Sequence, residues 1–384
     1  MKQYIKADKF YFPYSVKGKG YLEINEGKFG KFYTSVQGEG NIIDYSGYQI
    51  APGFVDTHIH GFGGYDVMDN NAQGLEEMSK GLLSTGVTSF LPTTLTDTFD
   101  NFYNVCQTIG QFAGKETGAR IQGIYLEGPY FTKTYKGAQN ENYMRDPSLE
   151  EFNAWQEASG GLIRKIALAP ERNGALEFIR AVTQQNVVVS IGHSNATYDE
   201  AVAAVEAGAS VWVHAYNGMR NMQHRELGVV GAMYMTEDTY AELICDGHHV
   251  HPAACNVLSK QKGNNKIALI TDCMRAGGLP DGKYTLGEYP VIVENGTARL
   301  QSSGNLAGSV LQLKDGVKHV IEWGAGTPEE AIRMASLIPA LSVGLEDKCG
   351  QIKEGLNADL IVMDSQFNIV KTHLSGKCLY DAKG

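Results

Sequence analysis

Two rhythms of hydrophobic and polar residues divide the chain. Up to about residue 50, short apolar runs alternate with polar residues and glycines, as in Lys9-Phe10-Tyr11-Phe12, Gly20-Tyr21-Leu22-Glu23-Ile24 and Gly30-Lys31-Phe32-Tyr33. Side chains on a strand alternate between its two faces, so this pattern predicts short antiparallel strands joined by tight turns. From Phe54 the rhythm changes. Eight apolar, strand-like runs follow, at 54–59, 88–91, 121–126, 165–169, 187–191, 211–213, 241–245 and 267–271. Helix-like stretches lie between them, such as 72–85, 99–112, 175–185 and 198–207. Alternating strand and helix predicts a parallel sheet, and eight repeats predict an α/β fold closed as a (β/α)8 barrel of the TIM type. An open doubly wound sheet is the alternative, but it gathers its ligand at one switch point. Here chemistry-bearing residues end at least five strands, which favours the barrel.

Past the eighth run the pattern breaks again. Residues 277–282 form a turn cluster, 283–294 read as a hairpin, 304–309 as a tight loop and 310–323 as a helix. Thr327-Pro328-Glu329-Glu330 reads as an N-cap, a proline at the first helical position and a capping-box glutamate. Strand-like alternation returns from about Lys353, notably at 359–364. The tail is therefore expected to rejoin the first fifty residues in a small β-sandwich domain made of 1–52 and 348–384, with a catalytic barrel, 53–347, inserted between. No internal repeat or low-complexity linker interrupts the chain.

Composition sets outer limits. The length, 384 residues, suits a barrel plus a smaller domain, and 43% hydrophobic content is ordinary for a globular protein. A net charge of −10 argues against a nucleic-acid partner but leaves room for a small anionic substrate, which senses the field of its own pocket. The six cysteines are scattered with no C-x-x-C pair, as expected of reduced thiols. Residues 1–6 lack the apolar core of a secretory leader, and no stretch reaches membrane-spanning length. A cytoplasmic protein without a membrane partner is expected.

The chemistry gathers where the strands end. His58 and His60 stand two apart at the end of the first run, so a strand would turn both to one face. Later strand ends offer Glu127, His193, His214 and Asp272, and the seventh run leads into Asp246-Gly247-His248-His249. Six of the ten histidines fall in these segments, a bias that random placement does not readily produce. A barrel brings such ends together on one face. Imidazoles and a carboxylate are N and O ligands suited to zinc or ferrous iron. A carboxylate left free of the metal, with Asp272 the natural candidate, can move a proton. The chemistry expected is metal-assisted hydrolysis of an amide, ester or amidine.

Several stretches carry a resemblance. They are Ala51-Pro52-Gly53-Phe54-Val55-Asp56, Leu126-Glu127-Gly128-Pro129, Lys136-Gly137-Ala138, Ile191-Gly192-His193-Ser194, His214-Ala215-Tyr216-Asn217-Gly218-Met219, Asp246-Gly247-His248-His249, Leu306-Ala307-Gly308-Ser309 and Asn357-Ala358-Asp359-Leu360. With His58-x-His60, the chain resembles the amidohydrolase superfamily and, within it, the N-acetylglucosamine-6-phosphate deacetylase family. The resemblance implies a divalent metal, zinc or iron, held by Glu127, His193 and His214, with Asp272 as general base and then general acid. It implies that Asn217 and Gly218 contact a phosphorylated amino sugar, that His249 contacts the sugar, and that Ala138, Leu306, Ala307 and Gly308 line the pocket. Arg225 would bind the phosphate by reaching into the neighbouring subunit of a homodimer.

Two features bear on the details. Where the family commonly has a histidine that polarises the acetyl carbonyl, this chain has Gln139, whose amide can donate a hydrogen bond but carries no charge. Some members replace the first-strand histidines with amides and keep one metal. This chain keeps both, so a second, weaker metal position is expected at His58 and His60 with Glu127 shared. Sequence leaves open the galacto epimer of the substrate, and a cyclic-amide hydrolase or nucleobase deaminase of the same superfamily. A barrel without catalytic activity is a further alternative, against which the intact set of Glu127, His193, His214 and Asp272 speaks.

Overall fold

A strand buried on both faces has to be apolar without alternation, and that is the pattern of the central strands. In the computed structural model, which describes residues 2–36 and 40–383, they are β1 (Phe54–Ile59), β2 (Val87–Pro92), β3 (Ile124–Tyr130), β4 (Ile163–Leu168), β5 (Val188–Ile191), β6 (Val211–Trp212), β7 (Tyr240–Ile244) and β8 (Ile267–Ile270). All pair in parallel, β1 with β2 and β3 through β8 in order. Parallel bridges Thr93↔Tyr125 and Ile59↔Cys273 join the two arcs, so the ring closes between β8 and β1. Asp56 ties the same seam from inside, accepting from the Thr271 hydroxyl at 2.6 Å. Burial pushes its pKa up to about 6, against the hydrogen bonds that favour the anion.

One helix follows each strand: α1 (Ala72–Leu82), α2 (Phe99–Phe112), α3 (Leu149–Ala158), α4 (Ala175–Thr183), α5 (Tyr198–Glu206), α6 (Gly228–Met235), α7 (Pro252–Lys262) and α8 (Leu313–Glu322). In α4 the buried residues Ala175, Phe178, Ile179 and Val182 fall at i, i+3, i+4 and i+7, the spacing that lays one apolar stripe on a sheet. Thr197 and Glu200 close a capping box at the start of α5, a device worth about 1 kcal/mol. Trp155 of α3 stacks on Phe102 of α2, with ring centroids 4.7 Å apart. The run expected at 121–126 is split. Arg120–Ile121 is a separate short strand beside β2, and β3 begins at Ile124. Gly123 marks the break, because a Cβ there would meet that of Arg164 at 2.6 Å.

Both chain ends contribute to one hydrogen-bonded sheet. Its strands run in the order Lys377–Asp381, Ile369–Leu374, Leu360–Met363, Asn41–Pro52, Lys2–Phe12, Gly20–Asn25 and Lys28–Tyr33, with Ser15–Lys17 beside Lys2–Phe12. Ile5, Phe10, Leu22, Ile24, Phe29, Ile50, Leu360 and Val362 share its core. A second insert covers the barrel mouth. Strands Gly282–Leu286, Tyr289–Glu294 and Thr297–Leu300 form an antiparallel sheet after β8 and pack Leu286, Val291 and Val293 with Leu95 and Met274. Among the described residues, no helix is long and apolar enough to cross a membrane.

Candidate active site

The ring of strands brings six side chains to one point. His60 is the first residue past β1, His193 and His214 follow β5 and β6, and Asp272 follows β8, while His58 and Glu127 sit near the ends of β1 and β3. Their ligand atoms form two groups, each within 4.8 Å: Glu127 with His193 and His214, and His58 with His60 and Asp272. Glu127 stands between them. Its Oε1 lies 3.3 Å from the Nε2 of both His193 and His214 and 3.4 Å from that of His58, and its Oε2 lies 3.3 Å from His60 Nε2. Asp272 Oδ1 is 3.1 Å from His60 Nε2 and 3.6 Å from His58 Nε2.

The opposite edges of the imidazoles decide what this arrangement can hold. The Nδ1 atoms of His60, His193 and His214 face the carbonyl oxygens of Thr93, Tyr135 and Asn217 at 3.2, 2.8 and 3.0 Å. A carbonyl only accepts, so Nδ1 carries the hydrogen and Nε2 presents a lone pair. His193 and His214 then point lone pairs at one another across 3.1 Å, with a carboxylate oxygen beside both. Lone pairs packed in this way, nine-tenths or more buried, call for a cation. The donor set of imidazole nitrogen and carboxylate oxygen fits a divalent transition metal.

Protons answer part of the same demand. Burial disfavours the charged form of Glu127 and Asp272, but the surrounding imidazoles outweigh it and hold both carboxyls below their usual range. Burial likewise works against a charged His58, yet Asp272, Glu127 and Glu242 push its pKa up to about 9. The left-handed backbone of His193, His214 and Asp272, with φ of 46, 29 and 50°, is a further mark of the site. Such conformations cost on the order of 1–3 kcal/mol each and gather where function over-determines them.

A model of the amidohydrolase family matches residues 50–379. The chain belongs to this family. It is 43% identical over 337 residues to the N-acetylglucosamine-6-phosphate deacetylase of Vibrio furnissii, covering 87% of this chain and 83% of that protein. It is 41% identical over 332 residues to the N-acetylgalactosamine-6-phosphate deacetylase of Escherichia coli O157:H7, covering 85% and 87%. Among solved structures, the N-acetylglucosamine-6-phosphate deacetylase of Thermotoga maritima superposes with a TM-score of 0.89 at 32% identity over the whole of both chains. A Mycobacterium smegmatis deacetylase variant in complex with N-acetyl-D-glucosamine-6-phosphate gives 0.93 at 28% identity, covering 98% of this chain and 99% of that one.

A cavity opens over the six residues. His60, Glu127, His193, His214 and Asp272 line it, together with Ala138, Gln139, Asn217, Gly218, His249, Leu306 and Gly308 from the expected set. Three expected residues lie elsewhere. His58 is fully buried behind His60, and Ala307 is packed into the core of the mouth insert with its neighbours facing the cavity. Arg225 lies in the exposed stretch 221–225, away from the cavity of its own chain, because that loop turns outward before α6. Asp272 groups with the first-strand histidines rather than with Glu127, His193 and His214, so a third candidate ligand stands beside His58 and His60.

Gln139 is only 4% exposed, and its amide is already engaged. Its oxygen accepts from Thr96 N–H at 2.8 Å and its nitrogen donates to Glu127 Oε2 at 2.6 Å, which leaves one N–H for the cavity. Leu95 and Leu286 of the cavity wall carried no signal in the sequence, and Gly137 stood in the Lys136-Gly137-Ala138 stretch without being singled out. Glu242 and Lys165, fully buried below the cluster, did carry one: Glu242 is a lone charge in an apolar strand, and Lys165 is a charge followed directly by the apolar run Ile166-Ala167-Leu168.

Proposed function

We propose that the protein hydrolyses the acetamide of N-acetylglucosamine 6-phosphate, giving glucosamine 6-phosphate and acetate. The observation that carries this is a carboxylate, Asp272, on the wall of a cavity floored by two ligand clusters that share Glu127. The kinship with N-acetylhexosamine-6-phosphate deacetylases supports the choice of substrate.

On this reading Glu127, His193 and His214 hold the stronger divalent ion, zinc or iron. His58 and His60, with Glu127 shared and Asp272 beside them, form a second, weaker position. A divalent ion held there would supply polarisation of the amide carbonyl and acidification of water. Asp272 takes the proton of the attacking water and returns it to the amide nitrogen as the C–N bond breaks, so one group serves as base and then as acid. Asn217, Gly218 and His249 contact the sugar, and the free N–H of Gln139 faces the acetyl oxygen. Among the described residues no lysine or arginine lines the cavity. We therefore assign the phosphate to Arg225 of a second copy, in a homodimer, since a guanidinium suits bidentate phosphate recognition. A cytoplasmic location, in keeping with six free cysteines, and the division into 1–52 with 348–384 and 53–347 belong to the same proposal.

Acetate release from a panel of acetylated amino sugars, with and without the 6-phosphate, tests the reading. N-Acetylglucosamine 6-phosphate is expected to give the highest kcat/KM. The 41% identical relative named for the galacto substrate makes N-acetylgalactosamine 6-phosphate the second compound to assay. Turnover of neither phosphate would overturn the assignment.

A further inference from the structure

Of the four imidazoles that face the clusters, one is tethered differently. His60, His193 and His214 use backbone carbonyls, whereas His58 Nδ1 lies 3.1 Å from Glu242 Oε2. Glu242 is on β7 and fully buried. Its other oxygen is bonded by the ammonium of Lys165, on β4, which sits 3.7 Å from the centroid of the Tyr125 ring. The backbone N–H of His214 reaches Glu242 Oε2 at 3.4 Å. Neither charge touches the cavity, and neither has a part in the steps above.

Stability does not account for this pair. Two charges taken out of water into a barrel interior are often replaced by apolar residues without loss. The need is local. Inside a closed barrel the backbone carbonyls are consumed by strand pairing, and His58 O itself accepts from Asp272 N at 2.9 Å. A histidine that deep has no loop carbonyl to hold its Nδ1, so only a side chain can serve. A carboxylate is the stronger acceptor, and it both orients a ligating imidazole and raises its donor strength.

We propose that the Lys165–Glu242 pair is a positioning device for His58. Lys165 claims one carboxylate oxygen, the other fixes the Nδ1–H tautomer of His58, and the Nε2 lone pair is thereby aimed at the second metal position. The pair sets the affinity of that position and leaves the first to its carbonyl tethers. This inference rests on the two-position reading above.

The deciding variant is Glu242→Gln, which keeps the shape. Lys165 claims the amide oxygen, so the amide N–H faces His58 Nδ1 and forces the hydrogen onto Nε2, against the metal. Cobalt(II) titrated into the metal-stripped protein, followed by calorimetry and by elemental analysis, should bind two equivalents in the wild type. In Glu242→Gln the first should change little, since its only link to this side chain is the long 3.4 Å contact from His214 N–H, and the second should be weakened ~10–100-fold, the usual effect of losing such an outer partner. Adding Lys165→Met frees the amide oxygen to accept from Nδ1–H and should restore part of the loss, whereas a merely structural pair would be damaged further. His58→Gln combined with Glu242→Gln should lose no more than His58→Gln alone. If Glu242→Gln does not fold, judged by its thermal midpoint, Lys165→Met with Glu242→Leu buries no charge and should lose the second equivalent alone. Two equivalents bound as in the wild type, equal loss from both positions, or no recovery in the double variant would overturn the inference. A wild type that binds one equivalent overturns the two-position reading and the inference with it.

Discussion

The two ligand clusters share Glu127 yet belong to different parts of the molecule. His193 and His214 are tethered at the mouth, to carbonyls of Tyr135 and Asn217, in the same loops that present Ala138 and Gly218 to the cavity. His58, His60 and Asp272 are tethered by the barrel itself, through Glu242, Thr93 and the bridge that closes β8 on β1. A substrate that moves the mouth loops therefore acts on the first cluster directly and on the second only through Glu127. The barrel-held cluster, in turn, keeps Asp272 at a fixed height on the cavity wall. On the proposed function, one half of the site is held by loops that also line the cavity, and the other holds the assigned proton carrier on the barrel.

The sharpest way to break this comparison is at Asp272. Asp272→Asn removes a proton transfer made only on the way to the transition state, so kcat should fall ~10²–10⁴-fold with substrate binding nearly intact. Retention of more than about a tenth of wild-type kcat, about 1.4 kcal/mol of barrier, would take the role away from Asp272. Next come the halves themselves. His214→Ala should remove the stronger metal equivalent and lower kcat/KM by ~10² or more, the scale of several kcal/mol of carbonyl activation. His58→Gln with His60→Asn should remove one equivalent and leave more activity than His214→Ala. Equal losses from the two variants, in metal content and in rate, would erase the distinction between the halves.

Much of this arrangement is legible in the sequence because barrel geometry is periodic. Eight apolar runs with helical stretches between them place Glu127, His193, His214 and Asp272 at strand ends before any coordinate is known. The return of alternation near residue 359 pairs the tail with the first fifty residues, as Val362↔Ile50 does in the sheet. What escapes has physical reasons. Helix α6 reads Gly-Val-Val-Gly-Ala-Met-Tyr-Met and is apolar nearly all round, so it shows no 3.6 period. The allegiance of Asp272 to His58 and His60 depends on ring closure, a contact between the first and last strands that no local pattern encodes. Glu242 and Lys165 look like interruptions of β7 and β4 until the barrel places them together.

A smaller effect should come from outside the clusters. Arg225 is exposed and does not line the cavity of its own chain, so on the proposed function any contribution it makes would come from a partner copy. Arg225→Ala should lower kcat/KM for the 6-phosphorylated sugar by ~10–100-fold, the worth of about 1.5–3 kcal/mol in hydrogen bonds to a charged group. The unphosphorylated sugar should be turned over as by the wild type. Mixing Arg225→Ala with an Asp272→Asn partner sharpens the reading, because a site completed in trans regains activity only in mixed dimers. Equal losses on both sugars would make Arg225 a structural residue.

Gln139 should show the smallest loss, and it bears on the one residue both clusters share. Its side chain spans Thr96 N–H and Glu127 Oε2, so it holds Glu127 in the orientation that serves both halves. Gln139→Ala leaves the buried Thr96 N–H without a partner and frees Glu127 to rotate toward one cluster. The site opens on the cavity, so water can replace part of what is lost. The penalty should therefore stay near the lower end of the ~1–3 kcal/mol of an unmade buried hydrogen bond, about tenfold in kcat/KM. Gln139→His keeps a donor within reach of Glu127 and should retain more activity than Gln139→Ala. The two variants also separate holding from substrate contact. If Gln139 chiefly holds Glu127, Gln139→Ala should weaken both metal equivalents measured by titration. If it chiefly faces the acetyl oxygen, kcat should fall with metal binding untouched. Wild-type rate and wild-type metal binding together in Gln139→Ala would remove it from both roles.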